Sequence, residues 1–132
     1  MPSIFSKIVA GDLPCYKVAE DELHLAFLDI RPTAWGHTLC IPKKEVDYIF
    51  DLDNESFANL HLFAKQVAKA IEKVVPCVRI GSTVLGLEVP HAHIHLVPLD
   101  EKGLINFKNR VEASKEEFEQ LATKIQKAFV SN

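Results

Sequence analysis

The sequence predicts an α+β fold, a mainly antiparallel sheet with two principal helices, in a single domain over residues 1–132. Three observations predict it. Short apolar segments bounded by turn residues cluster in residues 15–42 and again in residues 77–99. Each cluster is followed by a segment whose apolar residues recur at spacings of three and four. The chain has 132 residues, 48% hydrophobic and 25% charged, which is enough apolar material for one core and argues against disorder. No internal repeat, low-complexity tract or linker interrupts it.

Residues 4–10 suit a short helical turn, stopped by Gly11 and Pro14. Residues 15–20 and 24–29 read as two strands, with Glu20-Asp21-Glu22 turning the chain between them. Residues 31–36 form a loop punctuated by Pro32 and Gly36, leading into a third strand over 37–42. The first long helix covers 53–75. Phe57, Leu60, Phe63, Ala64, Val67, Ala68, Ile71 and Val74 make its apolar face, Asp53 its N-cap, and Pro76 its stop. Residues 77–87 are extended, with a bend expected at Gly81-Ser82 and a break at Gly86. Residues 91–99 are the next strand. The second helix starts near Ser114, which forms a capping-box pattern with Glu117 and precedes the apolar face Phe118, Leu121, Ile125, Ala128 and Phe129.

Charge and cysteine usage exclude several classes. Fifteen basic and 18 acidic residues give a net charge of −3, with no basic arm, so a nucleic-acid polymer is not an expected partner. A small phosphate site is still compatible, because a few imidazoles and backbone N–H groups can build one locally. Cys15, Cys40 and Cys77 are odd in number and widely spaced, which suits reduced, partly buried thiols. Residues 1–7 lack the apolar core of a secretory signal, and no apolar run is long enough to cross a bilayer. The expectation is a soluble cytoplasmic protein without a membrane partner.

The chemically distinctive stretch is Pro90-His91-Ala92-His93-Ile94-His95-Leu96-Val97-Pro98, which holds three of the six histidines. Period-two alternation would send Ala92, Ile94 and Leu96 to the core and line the other face with His91, His93 and His95. Filling one face with titratable rings points to acid–base, metal or phosphate chemistry. Three neutral imidazoles can hold zinc, but same-face neighbours on a strand lie about 7 Å apart, so the three cannot easily converge on one ion. The other reading is phosphoryl chemistry. The middle imidazole attacks phosphorus while its neighbours donate hydrogen bonds to the non-bridging oxygens.

The run His91-x-His93-x-His95-Leu96-Val97 resembles the signature of the histidine triad (HIT) family. Ile4-Phe5-Ser6-Lys7-Ile8-x-x-Gly11-Asp12-Leu13-Pro14 resembles its amino-terminal segment. Phe27-Leu28-Asp29-Ile30-x-Pro32 and Gly36-His37-Thr38-Leu39-x-Ile41-Pro42-Lys43-Lys44 resemble its nucleotide-pocket strands. These landmarks run from residue 4 to residue 98 in family order, most like the small branch of nucleoside phosphoramidases and dinucleoside-polyphosphate hydrolases. The resemblance implies a HIT-like fold, with His93 as nucleophile at the α-phosphorus of a nucleotide. It places His95 and His37 on the phosphate oxygens and His91 in support. Asp29 would accept the ribose hydroxyls, and Phe5, Ile8, Phe27 and Ile30 would wall the base. It also implies a homodimer through residues 53–75 and a sheet edge.

Three departures accompany the resemblance. Glu88 stands where many relatives carry Ser or Thr near the scissile bond, so a carboxylate there can serve an amine or cationic leaving group and repel further phosphates. Ile80 stands where relatives commonly carry Asn or Gln. Some bacterial relatives build a structural zinc site at positions that correspond here to Ser3, Ser6, Glu45 and His91, a set poor in soft ligands. The expected function is hydrolysis or transfer of the nucleotidyl group of a purine nucleotide conjugate through a nucleotidyl-histidine intermediate. It requires no redox cofactor and no protein-bound metal, with Mg²⁺ accompanying only a polyphosphate substrate. The alternatives are a metal-dependent hydrolase using His91, His93 or His95 with His37, and a catalytically weak nucleotide-binding or interaction module.

Overall fold

Residues 2–130 are described in the computed structural model; Met1 and residues 131–132, the ends of the expected domain, lie outside them. The elements are α1 (Ile4–Val9), β1 (Lys17–Glu20), β2 (His24–Leu28), β3 (Thr38–Pro42), a 3₁₀ turn (Ile49–Asp51), α2 (Asn54–Val74), β4 (Arg79–Thr83), β5 (Ile94–Leu99) and α3 (Lys115–Ala128). The strands form one antiparallel sheet in the order β1-β2-β3-β5-β4, mixed with helices as an α+β fold.

Local chemistry sets the element boundaries. Asp21 closes the β1–β2 turn by accepting hydrogen bonds from the N–H groups of Leu23 and His24 at 2.9 and 2.7 Å. Asp53 caps α2 through Ser56 N–H at 2.7 Å. Ser114 and Glu117 form the complete capping box at α3. Gly36 has φ of 98°, and a Cβ there would lie 3.0 Å from both Pro98 and Val75. Only glycine fits that turn, and the turn delivers His37 to the start of β3.

The sheet is apolar on both faces. Ala26, Leu28, Cys40, Ile94 and Leu96 pack against Leu60, Phe63, Val67 and Ile71 of α2 and Phe118, Leu121 and Ile125 of α3. Leu25, Phe27, Leu39 and Ile41 pack on the opposite face against Phe5 of α1. Among the described residues, no helix is long and apolar enough to cross a membrane.

Two sequence expectations are corrected. The bend at Gly81-Ser82 is absent: β4 runs through both residues, and Gly81 leaves room for the Leu99 side chain, whose Cδ1 would lie 2.9 Å from a Cβ there. The strand expected from residue 91 begins at Ile94 instead. Pro42 has no N–H to continue the ladder. Its carbonyl accepts from His91 Nε2 at 2.7 Å, and Ala92 N–H bonds Val46 C=O. His91 and His93 therefore precede the strand, and all three triad rings are buried rather than lined along an open face.

Candidate active site

The register of the sheet builds the site. Phe27 lies opposite Leu39 on β2 and β3, and Leu39 lies opposite His95 on β3 and β5. The three side chains form a row running from an apolar end to an imidazole end. Helix α1 lays Phe5 across this row, edge-on to Phe27 at 5.5 Å and to His93 at 5.1 Å between ring centroids. A cavity of ≈ 370 Å³ opens along the row. Phe5, Ile8, Phe27, Asp29, Ile30, Glu88, His93 and His95 all line it. His91 and His37 stand behind it, 0% and 1% exposed. A larger depression elsewhere, ≈ 710 Å³ beside Trp35 and Val75, contains none of the histidines.

Hydrogen bonds fix the proton on each ring, given that a neutral imidazole has one donor and one acceptor nitrogen. A backbone carbonyl can only accept, so His93, whose Nδ1 is 2.8 Å from His91 C=O, carries its proton on Nδ1. Its Nε2 lone pair has no protein partner among the described residues. A backbone N–H can only donate, so Thr33 N–H, 3.1 Å from His37 Nδ1, makes that nitrogen an acceptor. His37 therefore donates from Nε2 to His95 Nδ1 at 3.0 Å. This leaves His95 with a proton on Nε2. The cavity thus has a bare nitrogen on His93 beside an N–H donor on His95, with ring centroids 4.9 Å apart.

Burial keeps the supporting pair neutral. It lowers His37 from 6.5 to about 4 and His95 from 6.5 to about 3, with neighbouring positive charge adding to the effect. Burial also raises the Asp29 carboxyl, offset in part by its bond from Arg31 N–H and by the charge of Arg110. Asp29 Oδ1 accepts that N–H at 2.8 Å, closing an Asx turn, while Oδ2 lies 3.7 Å from His37 Nε2. The loop role and the pocket position coexist in one side chain.

Asp29, His37 and His95 bring ligand-type atoms within 4.8 Å of one another; the metal-dependent alternative paired His95 with His37 but did not include Asp29. The facing nitrogens of His37 and His95 are already engaged in the hydrogen bond between them. His91 uses both nitrogens, on Pro42 C=O and on Ser3 Oγ, so it offers no His-x-His pair with His93. Two residues at the site were missed by sequence reasoning. Phe107 packs on His95 and His37, with centroids 4.9 and 5.9 Å away, and Arg110 places a positive charge near Asp29 and both rings. A hydrogen bond from Val111 N–H to Pro32 C=O at 2.8 Å ties their segment down. It lacks periodicity, and a single aromatic among polar residues was the only signal.

Residues 10–102 match the HIT domain. The chain is 42% identical over 99 residues to the adenosine 5'-monophosphoramidase hnt1 of Schizosaccharomyces pombe, covering 74% of each. A crystal structure of a Hit-like protein involved in cell-cycle regulation from Bartonella henselae superposes with a TM-score of 0.84 at 32% identity, covering 96% of both chains. A zinc-bound histidine triad family protein from Mycobacterium smegmatis superposes with a TM-score of 0.82 at 28% identity, covering 95% of this chain and 91% of that one. In this chain Ser3, Ser6, Glu45 and His91 do meet in space, but as a hydrogen-bonded cluster. Two neutral hydroxyls and an imidazole whose Nδ1 is already paired do not fit a zinc ion.

Proposed function

The chain belongs to the HIT-domain family, and we propose that it cleaves purine nucleotide conjugates at the α-phosphorus through a nucleotidyl-histidine intermediate on His93. The observation that carries this reading is the His93 ring. Its Nδ1–H is held by His91 C=O at 2.8 Å, and the ring lines the cavity that also contains Asp29 and His95.

In the proposed reaction, His93 Nε2 attacks phosphorus in line with the leaving group. A phosphorus–nitrogen bond to the ring forms as the bond to the leaving amine or phosphate breaks, and a leaving amine takes up its proton from solvent water. Positive charge developing on the ring is stabilised by His91 C=O at Nδ1–H. The His95 Nε2–H donates to a non-bridging oxygen, where negative charge builds. His37 acts through His95 by holding its tautomer. Water then attacks the nucleotidyl-histidine, releasing the nucleoside monophosphate and restoring the ring. Phe5, Ile8, Phe27 and Ile30 take the base, and Asp29 takes the ribose hydroxyls. Glu88, an exposed residue that lines the same cavity as His93, favours an amine or short leaving group over a phosphate chain.

Residues 1–132 act as one HIT-like domain in a reducing, cytoplasmic setting, without a redox cofactor or resident metal and without a membrane or nucleic-acid polymer as partner. Mg²⁺ enters only with a polyphosphate substrate. The protein works as a homodimer through residues 53–75 and a sheet edge, the two edge strands being β1 and β4. Single-turnover kinetics with excess enzyme and an adenosine 5'-phosphoramidate test the reading. First-order release of AMP and free amine is the expected result. Tight binding without cleavage would overturn it in favour of a nucleotide-binding module.

A further inference from the structure

His91 and His93 lie outside the sheet ladder, so the carbonyl that orients the nucleophile is held in another way: its peptide by Ala92 N–H on Val46 C=O at 2.7 Å, and its residue through the His91 ring. Among the described residues, the ring of His91 is fixed from two sides. Nε2 donates to Pro42 C=O at 2.7 Å, which leaves Nδ1 as the acceptor in the neutral ring. Ser3 Oγ lies 2.9 Å from Nδ1 and supplies the proton. The same oxygen accepts Ser6 N–H at 3.0 Å and so caps α1. The Glu45 carboxylate accepts both the Ser3 N–H and the Ser6 hydroxyl, the latter at 2.7 Å. With its single proton directed to Glu45, Ser6 Oγ cannot also donate to His91 Nδ1, from which it lies 3.4 Å away.

We propose that Glu45 and Ser3 are positioning residues for the nucleophile: through His91 they aim the carbonyl that holds the His93 Nδ1–H. The path is continuous. Glu45 binds Ser3, Ser3 binds the His91 ring, and the His91 carbonyl binds His93 at 2.8 Å. Glu45 is surface-exposed while Ser3 and His91 are buried, so the path connects the protein surface to the cavity wall. The cluster ties α1, the segment after β3 and the segment before β5 together without a metal ion. Chelators should therefore leave both stability and turnover unchanged.

The role of His93 in turnover rests on the function proposed above, so the test includes a readout that does not need turnover. Glu45→Ala removes the oxygen that accepts both the Ser3 N–H and the Ser6 hydroxyl. Ser3→Asp keeps a cap acceptor for Ser6 N–H but cannot donate to His91 Nδ1, and Ser3→Thr restores both. ¹⁵N NMR of the histidine rings reports the tautomers directly. In wild type, His93 should be the Nδ1–H form and His91 the Nε2–H form. Glu45→Ala and Ser3→Asp should mix the His93 tautomers and lower kcat about ten- to a hundredfold with KM changed less than threefold. Ser3→Thr should recover both signals. If Ser3→Asp fails to fold, Glu45→Ala, at an exposed position, carries the test alone. Wild-type ring spectra in Glu45→Ala, or a loss confined to melting temperature, would overturn the positioning role. Ordered tautomers that respond as stated in a protein without turnover would instead count against the proposed reaction.

Discussion

Acidifying the protein from pH 7 to pH 5 should destabilise it chiefly through His37 and His95. Both rings are buried, at 1% and 6% exposure, and both are held neutral well below their ordinary value of 6.5, at about 4 and about 3. The sign follows from proton binding. Below pH 6.5 the unfolded chain protonates these rings and the native state does not, so stability falls as pH falls. The loss continues until the native rings protonate near 4 and 3. Each imidazole costs about 1.4 kcal/mol per pH unit in that window, so the pair costs about 4 kcal/mol by pH 5. His91, also lowered by burial, adds in the same direction. Glu20, Glu45, Asp53 and Glu117 are all lowered and stay ionised above pH 5, while Asp29, raised by burial, works in the opposite sense to the imidazoles. Urea unfolding at fixed protein concentration at pH 7, 6 and 5 measures the loss. His37→Gln should remove about half of the pH-dependent part. A flat stability profile between pH 6.5 and 5, or an NMR titration of His37 near 6.5, would refute the neutral relay.

The ribose and leaving-group ends make separate predictions. Asp29→Ala should weaken binding of adenosine monophosphate by about 1.5–3 kcal/mol and of its 2'-deoxy analogue by less, measured calorimetrically on folded protein. Equal losses would assign Asp29 to its turn alone. Glu88→Ser should raise kcat/KM for a diadenosine polyphosphate about fivefold while leaving an adenosine phosphoramidate nearly unchanged, by removing a like charge from the cavity wall. An unchanged ratio of the two substrates across pH 5 to 8 would remove Glu88 from substrate selection.

What the sequence made legible was what local chemistry decides. Asp53, Ser114 and Glu117 announced their helices because a cap is satisfied within one turn. Apolar period three-and-four placed Leu60, Phe63, Val67 and Ile71 in the core. The alternation of Ala92, Ile94 and Leu96 gave the correct core face but not the strand start, because the ladder depends on what β3 can offer, and β3 ends at Pro42. Gly81 suggested a bend when its smallness serves contact with Leu99. The cavity residues could be named from the resemblance, whereas their protonation could not. That depends on contacts across the fold, such as Thr33 to His37, His37 to His95 and Ser3 to His91. Phe107 and Arg110 were invisible for a related reason: their segment is held by Val111 on Pro32 and by ring contacts, with no pattern of its own.

The central claim is that His93 carries the nucleotide covalently, and trapping that species tests it most directly. Enzyme mixed briefly with an adenosine conjugate labelled in the α-phosphate should be quenched without acid, since phosphorus–nitrogen bonds are acid-labile, and the labelled residue located by peptide mapping. Wild type should carry the label on His93, and His93→Ala should carry none while still folding and binding AMP. Undiminished labelling in His93→Ala, or label mapped to another residue in wild type, would contradict the account.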